Sequence, residues 1–186
     1  ADAIEAVADG QDVLAIMPTG AGKSLTFQLP SYLKNDGLTI IVSPLLSLIE
    51  DQMLHIRERG ERGVARLTSM ETLEEKQDIL NHLKRYRFLY LSPEQLAVPH
   101  VTRALARTRI QMLVVDEAHA MGVSLGRPEV EAEAPRTKRI LALVKRARAL
   151  ALLLSGTPTF SKPLSLFPLV DALARGGEDD GLNWLP

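Results

Sequence analysis

Short apolar runs recur along the chain and are separated by longer stretches in which apolar and polar residues mix. Short apolar runs bounded by turn residues and rich in β-branched side chains are typical of buried strands. The runs predict strands over Val13–Met17, Leu38–Ser43, Val64–Leu67, Phe88–Leu91, Ile110–Val115 and Ala149–Leu154. Alanine and leucine favour helices, but the short length of the last run and the Gly-Thr-Pro sequence after it favour a strand.

The stretches between the early runs have helical periodicity. They predict helices over Lys23–Lys34 and Leu45–Arg59, and a third from Thr72 to about Tyr86. Thr72 is a typical N-cap, and Glu75 three residues later completes a capping box. Strands that alternate with helices form right-handed βαβ units, which give a parallel sheet with helices on both faces. The sequence therefore predicts an α/β fold of three layers.

Two segments have the composition of irregular structure. Met121–Pro135 is polar and interrupted by glycine and proline, which predicts a loop. Arg175–Pro186 is rich in glycine and acidic residues, which predicts a poorly ordered tail. We predict one domain over residues 1–175, followed by a disordered tail over residues 176–186.

The composition is that of an ordinary globular domain and excludes several classes of site. The 186 residues are 46% hydrophobic and 24% charged, which suits one substantial core. The absence of cysteine excludes disulfides and thiolate metal sites, and it fits an intracellular protein of the cytoplasm, nucleoid or nucleus. No apolar stretch reaches membrane-spanning length and no signal-peptide pattern begins the chain, so no membrane partner is expected. The formal net charge of −1 gives no global attraction to nucleic acid, so such contacts would need local patches.

The first predicted strand runs into a glycine-bearing turn, Met17-Pro18-Thr19-Gly20-Ala21-Gly22-Lys23-Ser24. The two glycines let the backbone curl so that successive N–H groups point into one concavity, and the next helix adds its positive end. Lys23 supplies a point charge for β- and γ-phosphates, and the Ser24 hydroxyl can ligate Mg²⁺. The general pattern has glycine where Met17 stands, so the stretch predicts a variant phosphate-binding loop. The alternative is a turn with a chance Gly-Lys-Ser.

The fifth predicted strand stops at the acidic pair Asp116-Glu117, which Ala118 and His119 follow. A buried parallel strand that ends in carboxylates places them at the edge of the sheet where α/β proteins bind ligands. Asp116 could hold Mg²⁺, directly or through water, and Glu117 could orient and deprotonate a water that attacks the γ-phosphate. The alternative is that both acids simply begin a helix.

Four stretches of this sequence, in this order, carry a resemblance to a known family. They are Asp12–Pro30, Thr39–Gln52, Phe88–Leu96 and Leu113–His119. Together they resemble the first RecA-like lobe of superfamily 2 helicases of the DEAH type, and most closely the RecQ group. The resemblance implies a P-loop NTPase domain that binds ATP with Mg²⁺ and couples ATP hydrolysis to 3'–5' movement on DNA.

The resemblance also implies roles for individual residues. The phosphates and the metal would be held by Thr19, Gly20, Ala21, Gly22, Lys23 and Ser24. Metal binding would involve Ser24 and Asp116, and catalysis Lys23, Asp116 and Glu117. Coupling between the nucleotide and DNA would involve His119, Ser155, Gly156 and Thr157. The nucleic-acid backbone would contact Ser43, Pro44, Leu45, Ser92, Pro93 and Glu94. The alternative is that both Ser-Pro pairs only mark the end of a strand and the start of a helix, since proline suits the first helical turn.

The last third of the chain resembles a different group. From Arg136 onward it resembles Swi/Snf-type translocases, especially the annealing helicases, and Ser155-Gly156-Thr157-Pro158 matches their motif III. Ala120–Pro128 lacks the aromatic residues that the RecQ group has there. The basic residues Arg136, Lys138, Arg139, Lys145, Arg146 and Arg148 flank an apolar stripe at helical spacing, which favours a solvated surface helix over a nucleic-acid contact.

These features predict the ATP-binding lobe of a DNA helicase, with single-stranded, forked or duplex DNA as partner and a role in DNA repair and recombination. One alternative is a Swi/Snf-like translocase or annealing helicase for double-stranded DNA. Another is a non-catalytic nucleotide-binding module. A third alternative is a small-molecule kinase, and the tetrad Asp116-Glu117-Ala118-His119 argues against it. The sequence contains neither the family's adenine-recognition segment nor a second RecA-like lobe with an arginine finger. An arginine finger raises the rate of phosphoryl transfer by about 10³–10⁵-fold in other enzymes. We therefore expect the chain alone to hydrolyse ATP feebly and not to unwind DNA.

Overall fold

The computed structural model describes residues 2–18, 20–116 and 150–155, with Ser155 described by its backbone alone. The strands are β1 (Val13–Ile16), β2 (Leu38–Val42), β3 (Val64–Leu67), β4 (Phe88–Leu91), β5 (Ile110–Val115) and β6 (Leu150–Ser155). The helices are α1 (Asp2–Ala8), α2 (Leu25–Lys34), α3 (Leu46–Glu58), α4 (Leu73–Asn81) and α5 (Pro99–Leu105). Short 3₁₀ turns span Leu83–Arg85 and Pro93–Ala97.

The six strands form one sheet in the order β1-β6-β5-β2-β4-β3, and every neighbouring pair is parallel. Because all the strands run in the same direction, all their carboxyl ends lie along one edge of the sheet. Within the part of the chain that the structure describes, β1 pairs with β6 alone, and β6 lies between β1 and β5. The predicted parallel α/β sheet is therefore confirmed.

Helices cover both faces of this sheet because its central strands are buried on both sides. On one face, alternate residues such as Ile40 and Leu89 pack against α4 and α5 through Leu80 and Leu105. On the other face, the intervening residues pack against α1, α2 and α3; these face residues include Ile41, Tyr90 and Val114, and the helix residues include Val7, Phe27, Ile49, Met53 and Ile56. The fold thus has three layers.

The predicted strand bounds agree closely with the structure. The strands at Val64–Leu67, Phe88–Leu91 and Ile110–Val115 coincide with the prediction, and the other three differ by one residue at one or both ends. The capping box is present, since the Glu75 amide donates to Thr72 Oγ1 at 3.2 Å and the Thr72 amide donates to Glu75 Oε2 at 2.8 Å.

The helices depart more from the prediction. Helix α2 begins at Leu25 rather than Lys23, because the preceding residues belong to the glycine turn. Helix α4 ends at Asn81, and a 3₁₀ turn takes up the rest of the predicted span. Helices α1 and α5 were not predicted. The predicted loop at Met121–Pro135, the basic segment from Arg136 and the tail at residues 176–186 lie outside the described residues.

Candidate functional site

The glycine turn after β1 adopts a backbone that few residues other than glycine accept. Gly20 and Gly22 both have φ of +83°, in the left-handed region. The Ala21 amide donates to the Pro18 carbonyl at 3.1 Å, and the Leu25 amide donates to the Gly22 carbonyl at 2.9 Å. The chain therefore passes from the turn directly into the first turn of α2. Thr19 lies outside the described residues.

In the described part of the chain, there is room beside both glycines of this turn. A Cβ placed on Gly20 would meet no heavy atom within 4 Å, and one on Gly22 would meet only Leu25 Cδ1, at 3.7 Å. Ser24, the N-cap of α2, has helical dihedral angles and makes no side-chain capping hydrogen bond. Lys23 is half-buried beside it. Backbone amides, the Ser24 hydroxyl and the Lys23 ammonium in this stretch are groups of the kind that bind a polyanion.

Asp116 lies immediately after β5 and is only 1% exposed. Its amide donates to the Val42 carbonyl at 2.9 Å, which continues the pairing of β5 with β2. Gln52 Nε2, on α3, donates to Asp116 Oδ2 at 3.0 Å. A carboxylate this deeply buried needs such polar contacts to stay charged. The predicted partners Glu117 and His119 lie outside the described residues.

The glycine turn and Asp116 lie on the same edge of the sheet, one strand apart. Ile16, the last residue of β1, is in register with Ser155 of β6, and Val115 is in register with Leu153. Neighbouring strands are about 4.8 Å apart, so the two strand ends are about 10 Å apart. Ser155 ends β6 between them, whereas Gly156 and Thr157 lie outside the described residues.

The residues at this edge fit a magnesium ion by their chemistry. The Ser24 hydroxyl and the Asp116 carboxylate offer hard oxygen ligands of the kind that Mg²⁺ prefers when substrate phosphates and water complete its shell. No group of three or more His, Cys, Asp or Glu side chains in the described ranges could hold a metal by itself. The described residues of this edge could therefore hold a metal only together with a bound phosphate or water.

Three buried oxygen atoms on the α3 side of the sheet make no hydrogen bond to other described residues: Ser43 Oγ, Gln52 Oε1 and Tyr90 Oη. Ser43 and Asp116 follow Ile41 and Val114 by two residues, so they lie on the same face of the sheet as Tyr90. Burial, and next the charge of Asp116, raises the pKa of the Tyr90 hydroxyl above its usual value. We call Ser43, Gln52, Tyr90 and Asp116 the polar cluster.

The sequence did not predict Gln52 or Tyr90 as site residues. Gln52 stands beside Met53 and three residues after Ile49, both on the buried side of α3. A polar side chain next to such a stripe is the signal that could have identified it.

The two segments that the resemblance assigns to nucleic acid lie along the same edge. The Ser43 amide donates to the Leu91 carbonyl at 3.0 Å, and the Ser92 amide donates to the Leu67 carbonyl at 3.2 Å. The side chains differ in exposure: Ser43, Ser92 and Pro93 are buried, Pro44 is half-buried, and Leu45 and Glu94 are exposed. Contact with nucleic acid at these positions stays a prediction.

No helix in the described ranges has the length and apolar character that a bilayer crossing requires.

A parallel sheet with an open glycine turn after β1 and a buried acid after β5 defines the class of RecA-like nucleotide-binding domains. The sequence model of the DEAD/DEAH box helicase family matches residues 1–166, and the chain belongs to that family.

The relatives agree with the resemblance to the RecQ group. The chain is 50% identical over 120 residues to the probable ATP-dependent DNA helicase RecS of Bacillus subtilis, which covers 64% of this chain and 24% of the relative. It is 37% identical over 122 residues to the ATP-dependent DNA helicase RecQ of Haemophilus influenzae, covering 64% of this chain and 19% of the relative. The matched part thus spans a quarter or less of these relatives. The resemblance of the last third to Swi/Snf-type translocases stays a prediction.

Solved helicase structures share the fold at low sequence identity. The Hef helicase domain of Pyrococcus furiosus superposes with a TM-score of 0.68 at 17% identity, over 93% of this chain and 36% of the other. The helicase Lhr of Mycobacterium smegmatis, bound to single-stranded DNA and AMP-PNP, superposes with a TM-score of 0.63 at 20% identity, over 84% of this chain and 22% of the other. These similarities confirm the RecA-like fold.

Proposed function

We propose that this chain is the ATP-binding lobe of an ATP-dependent DNA helicase of the RecQ type. One observation carries the proposal: the open turn at Gly20–Ser24 and the buried carboxylate of Asp116 lie on one edge of the sheet, separated only by β6. The names of the relatives support ATP and DNA as the substrates.

The glycine turn binds the polyphosphate of ATP in this proposal. Backbone amides of the turn other than that of Ala21, which donates to the Pro18 carbonyl, donate to phosphate oxygens. The positive end of α2 adds to the attraction. The Lys23 ammonium contacts the β- and γ-phosphates. The Ser24 hydroxyl and the Asp116 carboxylate would hold Mg²⁺, which would supply positive charge next to the phosphates.

Glu117 follows Asp116 directly and acts on the attacking water in this proposal. Its carboxylate orients the water and accepts its proton, a role that typically contributes 10²–10⁴ in rate. The burial of Asp116 strengthens the electrostatic contacts at this edge, because the local dielectric is lower than that of water.

DNA runs along the same edge, next to the segments after β2 and β4. The exposed Leu45 and the half-buried Pro44 contact the sugar-phosphate backbone, which fixes position without reading the bases. The buried Ser43, Ser92 and Pro93 support this surface from below. His119, Ser155, Gly156 and Thr157 link the nucleotide to this surface.

Two substitutions in the proposed ATP site test the proposal. Lys23→Ala should weaken binding of a fluorescent ATP analogue at least tenfold, because it removes the contact to the phosphates, a loss of about 1.4 kcal/mol or more. Glu117→Gln should keep nucleotide binding and slow single-turnover ATP hydrolysis by about 10²-fold or more. Lys84→Ala, which removes the same charge from the exposed turn after α4, is the control and should change neither. If both site variants bind and hydrolyse ATP like the unaltered chain, the proposal is wrong.

The DNA structure that stimulates hydrolysis separates this proposal from its alternative. A RecQ-type lobe should respond more strongly to single-stranded or forked DNA than to blunt duplex DNA. Stimulation by duplex DNA alone would favour the double-strand translocase instead. Single-turnover hydrolysis with each of the three DNA forms at equal phosphate concentration measures this difference.

A further inference from the structure

We propose that Gln52 is a positioning residue, which orients the Asp116 carboxylate and links the segment after β2 to the metal-binding edge. This inference rests on the proposed function, because it concerns how the same ATP site is set and how DNA acts on it.

The contact itself is direct and buried. Gln52 Nε2 donates to Asp116 Oδ2 at 3.0 Å, and Asp116 is 1% exposed. An ionised carboxylate is an acceptor only, so the glutamine amide must present its NH₂ group to it. A hydrogen bond to a charged acceptor is also stronger than one between neutral groups. The bond therefore fixes both the amide and one oxygen of the carboxylate.

Helix α3 holds Gln52 in place. Ile49, Met53 and Ile56 are at most 4% exposed and pack against the sheet on the same side as Asp116. These contacts anchor the helix on both sides of Gln52 along its axis. The glutamine amide thus has a rigid support, which a positioning residue needs.

The other members of the polar cluster lie on the same face of the sheet as the carboxylate. The hydroxyls of Ser43 and Tyr90 are buried and make no hydrogen bond to other described residues, and Gln52 Oε1 is also unused. Unused buried oxygens are rare in folded proteins and call for a reason. Here they place two hydroxyl donors and an amide acceptor on the buried face that carries Asp116.

The same helix connects the site to the segment that the resemblance assigns to DNA. Ser43 follows β2 directly, and α3 begins at Leu46. Six residues of helix separate Leu46 from Gln52, which is about 9 Å along the axis. Because a packed helix moves as a unit, a displacement of the segment after β2 changes the distance from Gln52 to Asp116. DNA contact at this segment would thereby alter the orientation of the carboxylate.

The test compares Gln52→Leu with Gln77→Leu. Gln77 is exposed on α4 and donates to Asn81 Oδ1 at 3.0 Å, so the control loses a hydrogen bond of the same length away from the edge. The first readout is binding of a fluorescent ATP analogue, titrated with Mg²⁺. Loss of a hydrogen bond to a metal-binding carboxylate typically costs 10–100-fold in metal affinity. Gln52→Leu should therefore raise the half-saturating Mg²⁺ concentration about tenfold or more, and leave analogue binding without Mg²⁺ unchanged. Gln77→Leu should change neither.

The second readout is the ratio of ATP hydrolysis with and without single-stranded DNA. Gln52→Leu should lower this ratio at saturating Mg²⁺, because the proposed link between α3 and Asp116 is lost. Gln52→Met, which keeps the length of the side chain but has no donor, should behave in the same way. Circular dichroism and thermal unfolding of the ligand-free variants show whether each of them is folded.

The outcomes separate this inference from the proposed function. If Lys23→Ala leaves analogue binding intact, the proposed function fails. If Lys23→Ala abolishes binding but both folded Gln52 variants keep the original Mg²⁺ midpoint, only the positioning role fails. If the half-saturating Mg²⁺ concentration rises but the ratio of ATP hydrolysis with and without single-stranded DNA is unchanged, the proposed link from α3 to DNA is wrong.

Discussion

At the scale of single residues, Gly20 and Gly60 make a useful pair. Their φ angles are +83° and +93°, and neither would bring an added Cβ within 4 Å of another atom. Gly20 lies in the turn after β1, whereas Gly60 follows the end of α3. Both positions thus require a left-handed backbone, but only Gly20 lies in the candidate site.

We expect Gly20→Ala and Gly60→Ala to lower the free energy of unfolding by similar amounts. A left-handed conformation costs a non-glycine residue about 1–2 kcal/mol. Only Gly20→Ala should also weaken binding of an ATP analogue, by about tenfold or more, since it shifts the amides of the turn. Urea unfolding and analogue titration measure the two effects. Equal analogue affinities in the two variants would contradict a phosphate-binding turn at Gly20.

The sequence predicted some site residues and not others, for a physical reason. Gly20, Lys23 and Asp116 belong to short local patterns in which the chemistry depends on neighbours along the chain. Gln52 contacts Asp116, which is 64 positions away in sequence. Local patterns carry no information on which helix packs over which strand end, so this contact emerged only from the fold.

At the scale of elements, Glu71 holds together the connection from β3 to α4. Its carboxylate accepts from the Thr68 amide at 2.7 Å and from Thr68 Oγ1 at 2.8 Å, and it pairs with Arg66. Arg66 also pairs with Glu50 of α3 at 2.9 Å. Burial would raise the pKa of Glu71, but the hydrogen bonds from Thr68 and Arg66 outweigh it and hold the pKa below its usual value.

We expect this connection to make stability depend on pH. Because the folded-state pKa of Glu71 is lowered, its contribution is present above the unfolded-state pKa of about 4.3 and is lost as the pH falls through the folded-state pKa. Glu71→Gln should therefore lower the free energy of unfolding at pH 7 by about 1–2 kcal/mol. The difference in free energy of unfolding between the unaltered chain and Glu71→Gln should become smaller below about pH 4.3.

Urea unfolding between pH 3 and pH 7 measures this difference, with Glu58→Gln as the control. Glu58 is exposed at the end of α3, and its substitution should change the free energy of unfolding by less than about 0.5 kcal/mol. If Glu71→Gln lowers the free energy of unfolding by the same amount at every pH in this range, the charge of Glu71 does not contribute to stability.

The bounds of the strands were predictable, but several helices were not. Phe88–Leu91 and Ile110–Val115 are apolar throughout or nearly so, because parallel strands are buried on both faces. Helix α5 has seven residues and begins with proline, which gives too little periodicity for a prediction. The glycine turn moved the start of α2, since Lys23 and Ser24 have helix-compatible side chains but belong to the turn.

At the scale of the whole molecule, the order of the strands was not predictable from the sequence. The prediction of a parallel sheet followed from alternating strands and helices, whereas the order β1-β6-β5-β2-β4-β3 depends on packing between distant segments. This order decides which strand ends meet. It places the ends of β1 and β5 on either side of β6, and it thereby creates the candidate site.

Because ATP would bind only the folded sheet edge, it should stabilise the whole domain. An ATP analogue with Mg²⁺ at a hundred times its dissociation constant should add about 2.7 kcal/mol to the free energy of unfolding. For a chain of this size that corresponds to a rise in melting temperature of roughly 5–10 °C. Differential scanning calorimetry measures the shift, and Lys23→Ala at the same analogue concentration should remove about half of it or more. An equal shift in Lys23→Ala would place the nucleotide elsewhere.

The position of β6 also decides when the candidate site can form during synthesis. Within the described sheet β1 has no other neighbour, and Asp12 just before β1 accepts a hydrogen bond from the Ala151 amide at 2.7 Å. A nascent chain exposes the glycine turn early, but Leu150–Ser155 leaves the ribosome tunnel much later. Until then β1 lacks the strand beside which it lies in the described sheet. The glycine turn is thus translated long before the strand that supports it, and ribosome-bound chains that stop before residue 150 carry the turn without β6.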